Sequence, residues 1–154
     1  LLALDVDHFK SFNDEHGHAA GDAVLATVGR VLLAQCRKGD VPARYGGEEF
    51  TVILPNTNPL GANVVAERIR RAFETSATPF EGKSLQITMS VGVASAQGPA
   101  VNPVTALAAL ADEALYGAKR GGRNRVASAS LPAGHELDDD EDTEITRVSA
   151  LPGR

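Results

Sequence analysis

A pair of glycines between two strand-like runs is the feature that most constrains this fold. Gly46-Gly47 directly precedes Glu48-Glu49 and the apolar run 51–54. Both glycines can adopt positive φ without steric cost, so the pattern predicts a two-residue turn that joins antiparallel strands. Alternation along a strand sends the two glutamates to opposite faces. We therefore predict a hairpin that holds two carboxylates in fixed positions; a solvated acidic turn tip is the alternative interpretation.

The start of the chain carries a second acidic pair. Four apolar residues, 1–4, run into Asp5-Val6-Asp7, which indicates a buried central strand with two acids at its carboxyl end. Ionised carboxylates in such a place need a counter-ion, and Mg²⁺ held by one or two carboxylates plus substrate phosphates is the ordinary solution. Asp5 and Asp7 share a face by the period of two, although a turn that starts at Asp7 would separate them.

Two other interpretations compete with a magnesium site for these acids. An EF-hand loop is a poor match, because Phe9 occupies the third ligand position and no glycine follows at position six. A phosphatase of the haloacid dehalogenase type, with Asp5 as nucleophile and Asp7 as acid, stays open. That interpretation leaves the Gly-Gly-Glu-Glu hairpin unexplained.

Length and charge distribution indicate one cytoplasmic domain followed by an acidic tail. The chain has 154 residues and a net charge of -5, and residues 128–154 hold seven acids against two arginines, so residues 1–127 are neutral. A neutral body disfavours a general nucleic-acid surface, which needs a basic patch. The tail is rich in acids, Ser, Pro and Gly and is predicted to be disordered. The single cysteine excludes an internal disulfide, and the sequence contains no signal peptide or apolar run of membrane-spanning length.

Hydrophobic periodicity predicts an α+β fold with the element order βααββαβ. This is a ferredoxin-like, palm-type plan in which an antiparallel sheet carries its helices on one side. Asn58-Pro59 and Asn102-Pro103 indicate two helix starts, because Asn caps a helix and Pro suits its first turn. The predicted elements are a strand at 1–6, a helical turn near 10–15, a helix at 18–35, a hairpin at 42–54, a helix from 58, a strand at 85–94 with one buried face, a helix at 102–119 and a strand at 124–127.

Several short motifs, in order and with compatible gaps, together resemble one family. They are Asp5-Val6-Asp7-His8-Phe9-Lys10, Asn13-Asp14, Gly17-His18, Gly21-Asp22, Arg44 to Phe50, Ser90-Val91-Gly92-Val93, Ala111 to Tyr116, Ala118-Lys119 and Gly122-Arg123-Asn124-Arg125. From residue 1 to about 127 the chain resembles the GGDEF family of diguanylate cyclases, with Gly-Gly-Glu-Glu-Phe as a variant of the signature loop. The ordered set is far more specific than any single motif in it.

The resemblance implies an active site built on both acidic regions. The side chains of Asp5 and Glu48 and the carbonyl of Val6 would hold two Mg²⁺ or Mn²⁺ ions, which clamp the attacking and leaving oxygens of a phosphoryl transfer. Glu49 would orient or activate the attacking 3′-hydroxyl. Further substrate contacts are implied for guanine at Asn13 and Asp22. Phosphate contacts are implied at Lys119, Arg123, Lys10 and the amides near Phe9. Gly46 and Gly47 of the hairpin are also implied to contact the substrate. Taken alone, these side chains also suit helix termini and turns.

The same resemblance implies condensation of two GTP into cyclic di-GMP and two pyrophosphates. Each domain would hold one GTP, so the site is complete only when two domains face each other antiparallel, and a homodimer is expected. An inhibitory site for the product is implied at Arg37 and Asp40, ahead of the diglycine, together with Arg68. Arginine forks suit the phosphates and guanine edges of a cyclic dinucleotide. A surface ion pair is the alternative interpretation of Arg37 and Asp40.

The chain begins at the first strand, whereas the resembled family carries a helix and an Asp-x-Leu-Thr-Gly-Leu-x-Asn-Arg-like segment before it. We therefore expect a domain at 1–127 without its usual N-terminal segment, and a sensor domain that is absent from this chain. Any membrane anchor of the full-length protein is expected to lie in such N-terminal regions. A regulatory module that binds GTP or cyclic di-GMP without cyclising is the alternative function; the intact acids and phosphate ligands favour the enzyme.

Overall fold

The computed structural model describes residues 1–96, 104–130 and 149–150. Within these ranges the chain forms a six-stranded sheet, a separate two-stranded sheet and four helices. The elements are β1 Leu2–Val6, α1 Phe9–His16, α2 His18–Gln35, β2 Val41–Gly46, β3 Glu49–Ile53, α3 Pro59–Glu74, β4 Thr78–Phe80, β5 Lys83–Leu85, β6 Met89–Ser95, α4 Val104–Arg120, β7 Val126–Ser130 and β8 Ser149–Ala150. None of the helices in the described ranges has the length and hydrophobicity needed to cross a membrane.

The main sheet places β1 at its centre. Its strand order is β2-β3-β1-β6-β7-β8, and every neighbouring pair is antiparallel except β6 and β7. Asp5 of β1 lies opposite Glu49 of β3 on one side and opposite Ser90 of β6 on the other. The predicted α+β class and the mainly antiparallel sheet are therefore confirmed.

Helices cover both faces of the sheet, so the prediction of one covered face is wrong. All seven residues of β6 are buried. Val91 and Val93 join the apolar side chains of α1, α2 and α3 in the main core. Gly92 between them faces α4, where an added Cβ atom would overlap with the backbone of Ala111 and Leu115. A glycine in the strand lets the helix approach the sheet this closely, and α4 covers the second face.

The predicted strand at 85–94 is wrong in its first half. Lys83–Leu85 forms β5, which pairs with β4, and residues 86–88 belong to no strand. The turn between β4 and β5 consists of Glu81 and Gly82, whose φ values of 47° and 75° match a type I′ hairpin. Apolar residues keep alternating from 85 to 93 across the break. Periodicity alone therefore joined two strands that belong to different sheets.

The predicted helix starts and tail have mixed outcomes. The Asn58 cap is confirmed, because its side chain accepts a hydrogen bond from Gly61 N at 2.7 Å. The helical turn predicted near 10–15 is a complete helix, α1. Asn102-Pro103 lies outside the described residues. The last long strand continues to Ser130, past the predicted boundary at 127, and the disorder predicted for the tail stays a prediction because 131–148 and 151–154 lie outside the described residues.

Candidate active site

Asp5 lies at the carboxyl end of β1 and forms the centre of the candidate site. Its side chain is buried, and Lys119 Nζ in the last turn of α4 lies 2.8 Å from Asp5 Oδ2. Burial raises the pKa of Asp5 above its ordinary value; Lys119 opposes this increase, whereas the negative charges of Glu48 and Glu49 add to it. Asp5 is thus a buried acid that is paired with one lysine and lies near two further carboxylates.

The β2–β3 hairpin places both glutamates beside the end of β1. Val6 N donates a hydrogen bond to Glu48 O at 3.3 Å, and Glu49 lies opposite Asp5 in the β1–β3 register. Glu48 is half-buried and lies in the turn, whereas Glu49 is exposed and begins β3. The two glutamates therefore do not alternate along one strand as predicted, although they do occupy different surroundings next to Asp5.

The hairpin turn lies one residue later than predicted. Gly46 still pairs with Glu49, so the turn residues are Gly47 and Glu48. Of the two glycines only Gly47 has a positive φ, 41°, and glycine suits the first central position of such a turn. Arg44 Nε donates to Gly47 O at 2.9 Å and fixes the tip. The prediction of a tight glycine hairpin is confirmed, with its centre shifted by one residue.

Asp7 is separated from Asp5 and has a structural role. The chain turns at Asp7, and His8 has a φ of 55°, so strand alternation ends before the second aspartate. The buried carboxylate of Asp7 accepts hydrogen bonds from Thr88 Oγ1 and Ser90 Oγ, both at 2.7 Å, and from Asn124 N at 3.0 Å. A carboxylate bound by three internal donors does not fit the general acid that the haloacid dehalogenase interpretation requires.

Helix α1 starts directly after this turn, and its first amides are not capped by a side chain. The backbone N–H groups of a helix start that lacks such a cap are donors for an anion. Phe9 buries its ring in the core, while Lys10 is exposed at the same helix end. Both positions are compatible with the phosphate contacts predicted for them.

Asn13 and Asp22 lie on α1 and α2, which pack together. The Oδ1 atom of Asn13 is buried and has no hydrogen-bond partner among the described residues. It lies against Gly21, where an added Cβ would overlap with it, so the glycine makes room for the amide. Asp22 follows on the same helix and is exposed. Gly21 was not among the predicted site residues; its position immediately before Asp22 was the signal in the sequence.

The loop after α4 carries Arg123, which was predicted to bind phosphate together with Lys119. Lys119 points to Asp5, whereas Arg123 is exposed three residues past the helix end. Gly122 and Arg123 have φ values of 114° and 61°, and Arg123 N donates to Ala118 O at 3.1 Å. The two cations therefore flank a tight turn that ends α4.

The residues predicted for the inhibitory site cluster around the segment that follows α2. Arg37 Nε lies 3.2 Å from Asp40 Oδ1, and Arg37 Nη2 donates at 2.8 Å to a carbonyl and a hydroxyl of the loop after β3. Arg68 Nη2 donates to Gln35 O at 2.6 Å. The Asp40 side chain is 1% exposed and that of Arg37 59% exposed. Arg37 and Asp40 thus form an ion pair, and the arginine keeps a face toward solvent.

Residues 1–125 match a family model described as diguanylate cyclase, GGDEF domain. The chain belongs to the GGDEF domain family. Diguanylate cyclase A of Treponema denticola is 44% identical over 126 residues, which are 82% of this chain and 34% of that protein. Diguanylate cyclase DgcP of Pseudomonas aeruginosa is 43% identical over 129 residues, which are 84% of this chain and 19% of that protein. This GGDEF domain spans about a third or less of the length of these curated relatives.

Solved GGDEF domains have the same fold. The GGDEF domain of DgcB from Caulobacter crescentus, in complex with c-di-GMP, matches with a TM-score of 0.75 and 36% identity, over 84% of this chain and 75% of that one. The active GGEEF domain of a diguanylate cyclase from Vibrio cholerae matches with a TM-score of 0.74 and 34% identity, over 84% and 80% of the two chains. The family predicted from the ordered motifs is therefore confirmed.

The acids of this GGDEF domain fit a divalent cation only together with other ligands. Across the described ranges, no group of three or more His, Cys, Asp or Glu side chains is arranged to hold a metal ion. Asp5, Glu48 and Glu49 nevertheless lie close enough to influence one another, with Lys119 as the opposing charge. Mg²⁺ commonly binds through one or two carboxylates and substrate phosphates. The donor set fits a cation that binds with a nucleotide.

Proposed function

We propose that this GGDEF domain is a diguanylate cyclase that condenses two GTP into cyclic di-GMP and two pyrophosphates. The observation that carries the proposal is the convergence of Asp5, Glu48 and Lys119 at the carboxyl end of β1. Carboxylates for cations beside a lysine for phosphate are the groups that a metal-bound triphosphate requires. The names of the similar diguanylate cyclases support the same reaction.

The carboxylates of Asp5 and Glu48 and the carbonyl of Val6 would hold the divalent cations, two Mg²⁺ or Mn²⁺ in each site. When bound, such ions neutralise the triphosphate and stabilise the attacking and leaving oxygens. Burial is the main cause of the raised pKa of Asp5, and the charges of Glu48 and Glu49 add to it; a cation at this position would offset both. Lys119, which pairs with Asp5 at 2.8 Å, would exchange Asp5 for a phosphate oxygen once GTP and metal are bound.

The base and the phosphates of GTP would contact α1, α2 and the loop after α4. Asn13 would contact the guanine edge through its side-chain amide, which can donate and accept at once. Asp22, exposed next to Gly21, accepts from the other guanine donors. The α1 amides, Lys10 and Arg123 bind phosphate oxygens. The glycines of the hairpin allow the nucleotide to approach its backbone closely.

Two domains would have to face each other, because one domain holds one GTP. The 3′-hydroxyl of the partner's nucleotide attacks the α-phosphorus; the new P–O bond forms as the bond to pyrophosphate breaks. Glu49 is exposed beside Asp5 and would orient that hydroxyl and accept its proton, directly or through water. A homodimer is therefore part of the proposal.

The product would bind at Arg37, Asp40 and Arg68 and inhibit the enzyme. The ion pair with Asp40 holds Arg37 in place while leaving it 59% exposed, and a fixed guanidinium fork suits phosphate and guanine edges. The solved DgcB domain in complex with c-di-GMP supports binding of this product by the family.

The direct test is chromatography of the products after this chain, fused to a dimerising coiled coil, is incubated with GTP and Mg²⁺. We expect cyclic di-GMP and pyrophosphate, and neither from the matched Glu48→Ala dimer. A folded dimer that binds GTP but forms no cyclic di-GMP would refute the cyclase and favour the regulatory binding module.

A further inference from the structure

A buried arginine on α3 anchors the loop that follows α4. Arg70 is 8% exposed. Its Nε and Nη2 atoms bind the two carboxylate oxygens of Glu67 at 2.9 and 2.8 Å. Its Nη1 atom donates to Glu74 Oε2 at 2.8 Å and to Asn124 Oδ1 at 2.6 Å, and Asn124 Nδ2 donates to Glu74 Oε1 at 2.6 Å. Both ends of the Asn124 amide are therefore bound to α3.

The loop held in this way has an unfavourable backbone conformation. Three successive residues, 122–124, have φ values of 114°, 61° and 45°. Only the first is glycine; asparagine enters this left-handed region more readily than most residues, so the steric cost falls mainly on Arg123. Such a conformation persists where surrounding contacts determine it. Here Arg123 N donates to Ala118 O at 3.1 Å, and Asn124 N donates to Asp7 Oδ2 at 3.0 Å.

These contacts join three parts of the site. Asp7 lies two residues after Asp5 and also binds Thr88 and Ser90 of the β6 region. The loop follows the helix end that carries Lys119 and presents Arg123 to solvent. The chain of hydrogen bonds thus runs from α3 through Asn124 and Asp7 to the end of β1.

We infer that Arg70 and Asn124 are positioning residues for nucleotide phosphates. Resting on the function proposed above, the inference is that they hold the loop 122–124 so that Arg123 meets the triphosphate. A long arginine on a freely moving loop loses conformational entropy when it binds, and a loop fixed beforehand reduces that loss. The two residues act through Arg123 and through the loop backbone.

The experiment uses calorimetry to compare binding of the α,β-methylene analogue of GTP, which is not turned over, by the wild-type full chain and three variants of it. Arg70→Met and Asn124→Gly remove the anchor, and the glycine keeps the left-handed backbone accessible. Arg71→Met is the matched control, because Arg71 lies on the same helix, is exposed and also binds Glu67, at 2.7 Å. We expect about tenfold weaker binding for the first two variants, and a change of less than about twofold for the control.

The double variant Arg70→Met with Arg123→Ala separates positioning from general damage. If Arg70 acts through Arg123, Arg123→Ala alone weakens binding about tenfold and adding Arg70→Met changes nothing further. An equal loss from Arg70→Met in both backgrounds would show a merely structural role and overturn the inference. Wild-type affinity in a folded Arg70→Met or Asn124→Gly variant would overturn it as well; if Arg70→Met does not fold, Asn124→Gly decides.

Amide hydrogen exchange of Arg123 and Asn124 gives a readout that needs no nucleotide. We expect faster exchange in Arg70→Met than in Arg71→Met, and equal rates would contradict the anchoring role. A wild-type chain that binds no analogue would refute the proposed function, and the exchange rates alone would then decide whether Arg70 holds the loop. If the variants change analogue binding as expected but the forced dimer forms no cyclic di-GMP, only the proposed cyclase activity is refuted.

Discussion

Replacing Gly92 by alanine is expected to destabilise the domain, because α4 lies closest to the sheet at this residue. The added Cβ would overlap with Ala111 O and Leu115 N and would lie 2.8 Å from Leu115 Cα. These are backbone atoms of α4, so no side-chain rotation relieves the overlap and the helix has to move. Overpacking of this kind costs about 1–3 kcal/mol. We expect the upper part of that range, which lowers the melting temperature by about 6–10 °C in a domain of this size.

The assay is urea unfolding of Gly92→Ala beside a matched control, Gly29→Ala. An added Cβ at Gly29, within α2, meets nothing within 4 Å, and alanine is the better helix former by about 0.5–1 kcal/mol. The same substitution should therefore destabilise at one site and stabilise at the other. Because α4 carries Lys119, binding of the GTP analogue should weaken only in Gly92→Ala. A Gly92→Ala protein with the wild-type free energy of unfolding would refute the close packing of α4 on β6.

Three further predictions concern the site residues. Asp5→Asn should abolish cyclic di-GMP formation by the forced dimer, because a cation ligand is lost, without lowering the melting temperature at pH 7. Folding raises the pKa of the Asp5 carboxyl above 3.8. Its contribution to the free energy of unfolding therefore falls as the pH rises from 3.8 through the pKa of the folded state. GTP should bind at least ~100-fold more tightly than ATP in calorimetry, because Asp22 and Asn13 accept from guanine donors that adenine lacks. Arg37→Ala should relieve inhibition of the forced dimer by cyclic di-GMP, since one charged hydrogen-bonding partner contributes about 1–3 kcal/mol.

Each of these predictions has a contrary result. Near wild-type turnover of Asp5→Asn at saturating Mg²⁺ would refute the assignment of Asp5 as a metal ligand. A lower melting temperature of this variant at pH 7 would contradict the inference that the ionised Asp5 carboxylate destabilises the fold. Comparable affinities for GTP and ATP would refute the guanine contacts. Equal inhibition of Arg37→Ala and wild type would leave only an ion pair there; Lys38→Ala, at the neighbouring exposed position, is the control that should retain inhibition.

Helices and turns followed from the sequence where their causes are local. The Asn58 cap lies three residues from the amide that it accepts from, and the apolar stripe of α2 repeats within one helix. A diglycine restricts the turn to its immediate neighbourhood, which explains why the hairpin was predicted to within one residue. Family membership followed in the same way, because each motif is a short run whose order along the chain is read directly.

Strand assignment and sheet coverage did not follow, because they depend on partners far along the chain. The alternation at 85–93 is the same whether Lys83–Leu85 pairs with β4 or continues β6, so periodicity carries no information about the choice. The burial of both faces of β6 requires α4 to dock on Gly92, and a glycine in a strand pattern alone is also compatible with a bulge or a bend.

The different surroundings of Asp5 and Asp7 show most clearly what the sequence determined and what the tertiary structure decided. By itself the sequence determined that two acids lie at the end of a buried strand. It also determined that this segment and the glycine hairpin with its two glutamates are both motifs of the GGDEF family. Only the tertiary structure decided that Asp5 faces Lys119 while Asp7 binds Ser90 and Asn124, residues 83 and 117 positions away. Charge and burial at a site are set by such distant neighbours, and the chain brings them together only when the whole sheet has formed.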